Sequence, residues 1–144
     1  MNFNQILSKL LGGNKASRDR KEIQPIVDQV LAVYPTIEAL SNDELRAKTK
    51  ELQHDIQHSA DDLKEKVAAL KQKIEATPIE DRVVIFNQID KIEKDILERY
   101  EEALNKALPT AFAIVKNTAK RFSENEELVV TATDFDRELA ATHD

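Results

Sequence analysis

The chain has 144 residues, 33% of them charged and 41% hydrophobic, and a formal net charge of -6. That length admits one modest core, the apolar content is too high for simple disorder, and the acidic balance argues against nucleic acid as a partner. Aromatics at 5%, two glycines and no cysteine disfavour a β-rich fold and exclude disulfide frameworks and thiolate metal sites, so the expected fold class is all-α.

Residues 3–11 place Phe3, Ile6, Leu7, Leu10 and Leu11 at helical spacing, and Gly12-Gly13-Asn14 then stops the pattern. An isolated helix this short is marginal in water and needs a surface to fold on. Lys9, Lys15, Arg18, Arg20 and Lys21 follow against one acid, Asp19, so the opening is locally basic on an acidic chain. Residues 1–14 thus read as an amphipathic basic segment, and its stripe has two readings. It packs on the protein's own core, or it lies at a membrane interface.

Residues 15–41 predict a helix and a connection. Ser17 is a cap, Ile23, Ile26, Val27, Val30, Leu31 and Tyr34 form the buried face, Pro25 sits in the first turn or kinks the helix, and Pro35 ends it. Ser41-Asn42-Asp43-Glu44 is a capping box that starts a long helix. From Ile56 the apolar residues Ala60, Leu63, Val67, Leu70 and Ile74 alternate steps of four and three, a heptad seam. Uninterrupted, that helix is on the order of 50 Å long, although Ser59 with Asp62 offers a second, weaker cap. Thr77-Pro78-Ile79-Glu80 predicts the next start, with Ile85, Ile89, Ile92, Ile96, Tyr100 and Leu104 as its stripe. Residues 42–107 therefore read as a long antiparallel helical hairpin, coiled-coil-like in its seam. In residues 108–144 Pro109 opens a further helix, 128–133 is β-prone chain left extended, and Thr133 or Asp134 caps a short terminal helix. No apolar run approaches the ~20 residues of a membrane span, and no secretory leader opens the chain, so a cytoplasmic location is expected.

Catalytic chemistry finds little support. His54 and His58 stand at i and i+4 with Asp55 between them, a spacing that suits a metal and resembles the H-E-x-x-H zinc motif. Asp is one methylene shorter than the Glu that motif uses as a base, the seam residue Ile56 turns both rings to solvent, and no third ligand is evident. Exposed surface histidines are the favoured reading, and no metal site is expected. The acidic pairs Asp61-Asp62, Glu101-Glu102 and Glu126-Glu127 read as solvated helix faces, since acid–base work needs a pocket that separates two pKa values. No catalytic set, Gly-rich phosphate loop or cofactor site is expected within the chain.

The run Ile37-Glu38-Ala39-Leu40-Ser41-Asn42-Asp43-Glu44-Leu45-Arg46-Ala47-Lys48-Thr49 resembles the opening of the SecA family of preprotein translocase ATPases, which carries a phrase close to L-S-D-E-E-L-x-x-K-T. A second phrase of that family, L-x-P-E-A-F-A-V-V-R-E-A, is similar to Leu108-Pro109-Thr110-Ala111-Phe112-Ala113-Ile114-Val115-Lys116-Asn117-Thr118-Ala119. The resemblance covers residues 1 to about 56 and 108–122. Thr110 and Asn117 stand where acidic residues are usual, residues 57–106 read as an inserted hairpin, and residues 123–144 depart from the pattern.

The resemblance implies part of a first nucleotide-binding domain, truncated from a longer chain. In the intact parent, ATP and Mg²⁺ would drive secretory preproteins through the SecYEG channel. The family's nucleotide motifs are expected beyond residue 144, so no ATP-contacting residue is carried over. Phe3, Ile6, Leu7, Lys9, Leu10, Leu11, Arg18, Arg20 and Lys21 are the expected docking residues, toward anionic phospholipid and the channel, with peripheral association at the inner membrane. A free-standing coiled-coil adaptor that binds a partner helix or forms a homodimer is the alternative, with Val84 and Phe86 as its exposed surface.

Overall fold

The seam at steps of four and three dictates the observed packing. In a computed structural model, which describes residues 15–142, five α-helices and one short 3₁₀ turn account for the regular structure, and the described residues contain no strand. The helices are α1 (Lys15–Glu38), α2 (Asn42–His58), α3 (Asp61–Ile74), α4 (Arg82–Glu124) and α5 (Asp134–Ala141), with the 3₁₀ turn Ile79–Asp81 ahead of α4. The fold is all-α, as composition and periodicity require. The stripe of residues 3–11 lies outside the described residues.

At 43 residues α4 is the spine, and α1, α2 and α3 all pack on it. α2 and α3 run antiparallel to it. Lys71 lies 3.5 Å from Glu93, Arg99 3.7 Å from Asp62, and the Tyr100 hydroxyl donates to the Gln57 carbonyl. The seam buries Ala60, Leu63, Val67 and Ile89, with Ile56, Leu70, Ile74, Ile85, Ile92, Ile96 and Tyr100 half-buried. Leu104 leaves the stripe and is exposed, whereas Ala103 and Ala107 line the cleft between α2 and α4. At the other end Ile37, Leu45, Ala113 and Ile114 form a second buried cluster, flanked by Val30, Val33, Tyr34, Leu40 and Leu52.

The predicted start of α2 holds. Ser41 Oγ accepts from the Glu44 amide, and the Ser41 amide donates to the Glu44 carboxylate at 2.7 Å. The chain breaks at Ser59-Ala60, so residues 42–74 are two helices. Ser59 does not cap α3; its hydroxyl bonds back to the Ile56 carbonyl and closes α2. Ala60, fully buried, turns the chain into α3. The break leaves carbonyls outside the helical ladder, and neighbours take them up. Lys64 and Tyr100 donate to Gln57, and Arg99 donates to Ser59.

Two prolines depart from expectation. α1 begins before Ser17 and continues through Pro25 and Pro35 to Glu38, and α4 runs straight through Pro109. A proline inside a helix costs about 3 kcal/mol through its missing N–H and a clash with the preceding turn. Burial offsets that cost where it is available. Ile37, just past the helix end predicted at Pro35, is 2% exposed. Pro109 lies between buried Ala107 and buried Ala113-Ile114, so both turns beside it are held by packing. At the start of α4, Thr77 bonds back to the Lys73 carbonyl and does not cap forward, so the chain passes through the 3₁₀ turn first.

Candidate functional site

Of the expected docking residues, Phe3, Ile6, Leu7, Lys9, Leu10 and Leu11 lie outside the described residues. Arg18, Arg20 and Lys21 lie on the first turns of α1, all exposed. Arg18 and Lys21 are three residues apart and share a face; Arg20 points elsewhere. The face predicted to be buried on α1 is only partly so. Ile23, Ile26, Val27 and Leu31 remain exposed, and with Phe112 and the half-buried Val30 they line an apolar cleft of about 280 Å³ between α1 and α4, edged by Lys116. The basic turn thus adjoins an open apolar surface on the same helix.

A polar clamp on the opposite side of α4 escaped the sequence reading. The extended stretch after α4 lies across the first turns of α2. Asn42 Nδ2 donates to the Val129 carbonyl at 2.9 Å, and Arg46 donates to the Thr131 carbonyl at 3.1 Å. Asp43 accepts from the Thr131 amide at 2.8 Å and its hydroxyl at 2.6 Å. Arg46 also pairs with Asp136 at 2.7 Å, where Thr133 and Asp136 form the capping box of α5. From α4, Arg121 donates to Asn42 and to the Leu40 carbonyl, and Lys120 pairs with Glu38 at 2.7 Å. The bonds between α2 and the stretch join residues 85–90 positions apart, which no local spacing encodes.

These bonds set the ionisation of their carboxyls. Arg46 and then the Thr133 bonds hold Asp136 far below the usual carboxylate range. Thr131 lowers Asp43, Ser41 lowers Glu44, and Lys120 lowers Glu38. In each case a donor stabilises the charged form.

His54 and His58 project from the last turn of α2 and are 71% and 54% exposed, as the seam requires. Val84 and Phe86 are exposed on α4. Among the described residues no helix is long and apolar enough to cross a membrane.

The fold and the clamp define a helical scaffold on one long spine, with the hairpin at one end and a basic, apolar-edged face at the other. The family model for the SecA DEAD-like domain matches residues 7–140, and the chain belongs to that family. The match runs through the hairpin and past residue 123, further than the two phrases alone. The chain is 64% identical to the protein translocase subunit SecA of Phocaeicola vulgatus over 98% of its own length, and 59% identical to that of Bacteroides fragilis over 100%. The SecA of Flavobacterium psychrophilum is 42% identical over 99% of the chain. The chain spans about 13% of the length of each of these relatives, and their near-complete coverage takes in residues 57–106. No solved structure matches the chain.

Proposed function

We propose that the chain is the amino-terminal portion of an ATP-driven motor that moves secretory preproteins through the SecYEG channel, and that it supplies docking and scaffolding to that motor. The end-to-end similarity to SecA translocase subunits carries this reading. ATP and Mg²⁺ belong to the whole protein. The residues present here do not fit them, since the only two glycines are adjacent and no glycine-rich loop leads into Lys-Ser/Thr.

Docking is assigned to Phe3, Ile6, Leu7, Leu10 and Leu11 together with Lys9, Arg18, Arg20 and Lys21. The apolar stripe partitions into the interface of an anionic inner-membrane leaflet on its cytoplasmic side, and the basic residues add about 1 kcal/mol each near such a surface. The exposed Ile23, Val27 and Leu31 extend the contact area beyond the basic turn. Co-sedimentation with vesicles tests this. Vesicles rich in anionic lipid should retain the chain and neutral ones should not, and Leu10→Glu should abolish retention. Equal binding to both vesicle types, or full retention of the Leu10→Glu variant, overturns the docking assignment without touching the family membership.

A further inference from the structure

The break between α2 and α3 gives the two histidines a setting that their spacing does not reveal. Their ring centroids are 4.3 Å apart with a 39° tilt. Two imidazoles bound cis to one ion at ~2.0 Å place their centroids about 4.5 Å apart, a spacing that the pair matches. The turn into α3 then brings Asp61 to 2.5 Å from His58 Nδ1. A carboxylate at that nitrogen holds the proton on Nδ1 and leaves the Nε2 lone pair outward, free for a metal. This carboxylate–histidine arrangement is how metal-ligating histidines are oriented and made more basic. Lys64, 3.1 Å from the other oxygen of Asp61, balances the carboxylate and keeps it beside the ring. Both rings are solvent-accessible, so a metal has an open approach.

We infer that His54 and His58 form a two-imidazole chelate for a divalent transition cation of the zinc class, with Asp61 as the positioning residue for His58. Among the described residues no three metal-ligating side chains converge, so water completes the coordination. Both imidazoles belong to α2, so the ion braces the last turn of that helix, and the His58–Asp61 bond carries the restraint to the start of α3.

Titration calorimetry of zinc chloride into the tag-free 144-residue chain tests the site. One-to-one binding is expected, stronger at about pH 7.5 than at about pH 6 because the ligands must lose protons, and copper(II) should bind more tightly than zinc. His54→Ala and His58→Ala should each abolish it, and Asp61→Asn should weaken it by roughly 10–100-fold. His143→Ala, the control for the remaining histidine, should leave it unchanged. Zinc should also raise the melting temperature of the parent chain and not of His58→Ala. His54, His58 and Asp61 lie outside the buried core, so circular dichroism of their variants should report the parental helix content. Absence of one-to-one binding, survival of the site in either His54→Ala or His58→Ala, or its loss in His143→Ala overturns the chelate. An Asp61→Asn variant with parental affinity overturns the role given to Asp61.

Discussion

Asn117 is the one buried polar side chain among the described residues, 2% exposed between α1 and α4. Its Nδ2 reaches the Tyr34 hydroxyl at a long 3.4 Å, and its Oδ1 has no hydrogen-bond partner. A buried acceptor left without a donor costs about 1–3 kcal/mol. Leucine is apolar and close to asparagine in size, so Asn117→Leu is expected to stabilise the fold by about 1 kcal/mol, or roughly 3–5 °C in a chain of this size. Thermal melts of Asn117→Leu, Tyr34→Phe and the double variant separate the contributions. Tyr34→Phe should destabilise the parent and be near neutral in the Asn117→Leu background, because the amide that the hydroxyl met is then gone. A lower Tm for Asn117→Leu would show that the amide is better satisfied than the geometry indicates. Lys116, 4.5 Å above the Tyr34 ring, keeps the same tyrosine in place from the solvent side.

At the scale of elements, the extended stretch and α5 are held by charge-assisted bonds more than by buried apolar area. Val129, Phe135 and Leu139 are exposed, and the stretch is anchored through Asn42, Asp43 and Arg46. Its stability should therefore depend on pH. Asp136, Asp43, Glu44 and Glu38 all have folded-state pKa values below their ordinary ones. A lowered carboxyl pKa contributes stability that is full above the unfolded-state value and is lost as pH falls through the folded-state one. Amide exchange of residues 128–141 should accordingly be flat from about pH 7 to about pH 5, after correction for intrinsic rates, and lose protection below about pH 4. Asp43→Asn and Asp136→Asn should each lower protection at neutral pH and flatten the acid dependence. An unchanged profile in Asp136→Asn would place the anchoring elsewhere.

The same scale shows what the sequence made legible. Local signals with a physical mechanism held: the Ser41–Glu44 capping box, the cap at Thr133, and the four-three seam that buries Leu63, Val67 and Ile89. Pro35 and Pro109 misled because a proline's local cost is visible in sequence, whereas the burial of Ile37 and Ile114 that offsets it depends on contacts far along the chain. For the same reason Asp43 and Arg46 read only as surface charge on a capped helix, since their partners Thr131 and Asp136 lie 88 and 90 residues away. Of the expected docking site, only Arg18, Arg20 and Lys21 fall on described residues, and all three are exposed.

For the whole molecule, the decisive feature is that two separate buried clusters share one helix. Ile37, Leu45, Ala113 and Ile114 form the cluster at the α1–α2 end, whereas Ala60, Leu63, Val67 and Ile89 line the hairpin seam. Between them α4 carries buried Ala107 and Pro109, with Ile92, Ile96, Tyr100 and Leu108 half-buried. Pro109 also lacks the N–H that would bond to the turn before it. The hydrogen-bond ladder of the spine is thus interrupted between the two regions, at a turn that the burial of Ala107, Ala113 and Ile114 holds in place. Proteins open in contiguous cooperative units whose borders fall where buried contacts are few, so the hairpin should open without the core around Ile114. Ile89→Ala tests this. Ile89 is 5% exposed, and its truncation should cost about 2–5 kcal/mol. Native-state hydrogen exchange should show that loss across residues 61–100, while amides of residues 110–121 keep their parental protection. Equal losses in both regions would mean that α4 transmits the damage through Pro109 and that the chain is one cooperative unit. Separate opening would instead let the hairpin bend at the Ser59–Ala60 joint while the α1–α2–α4 core and its basic face stay folded.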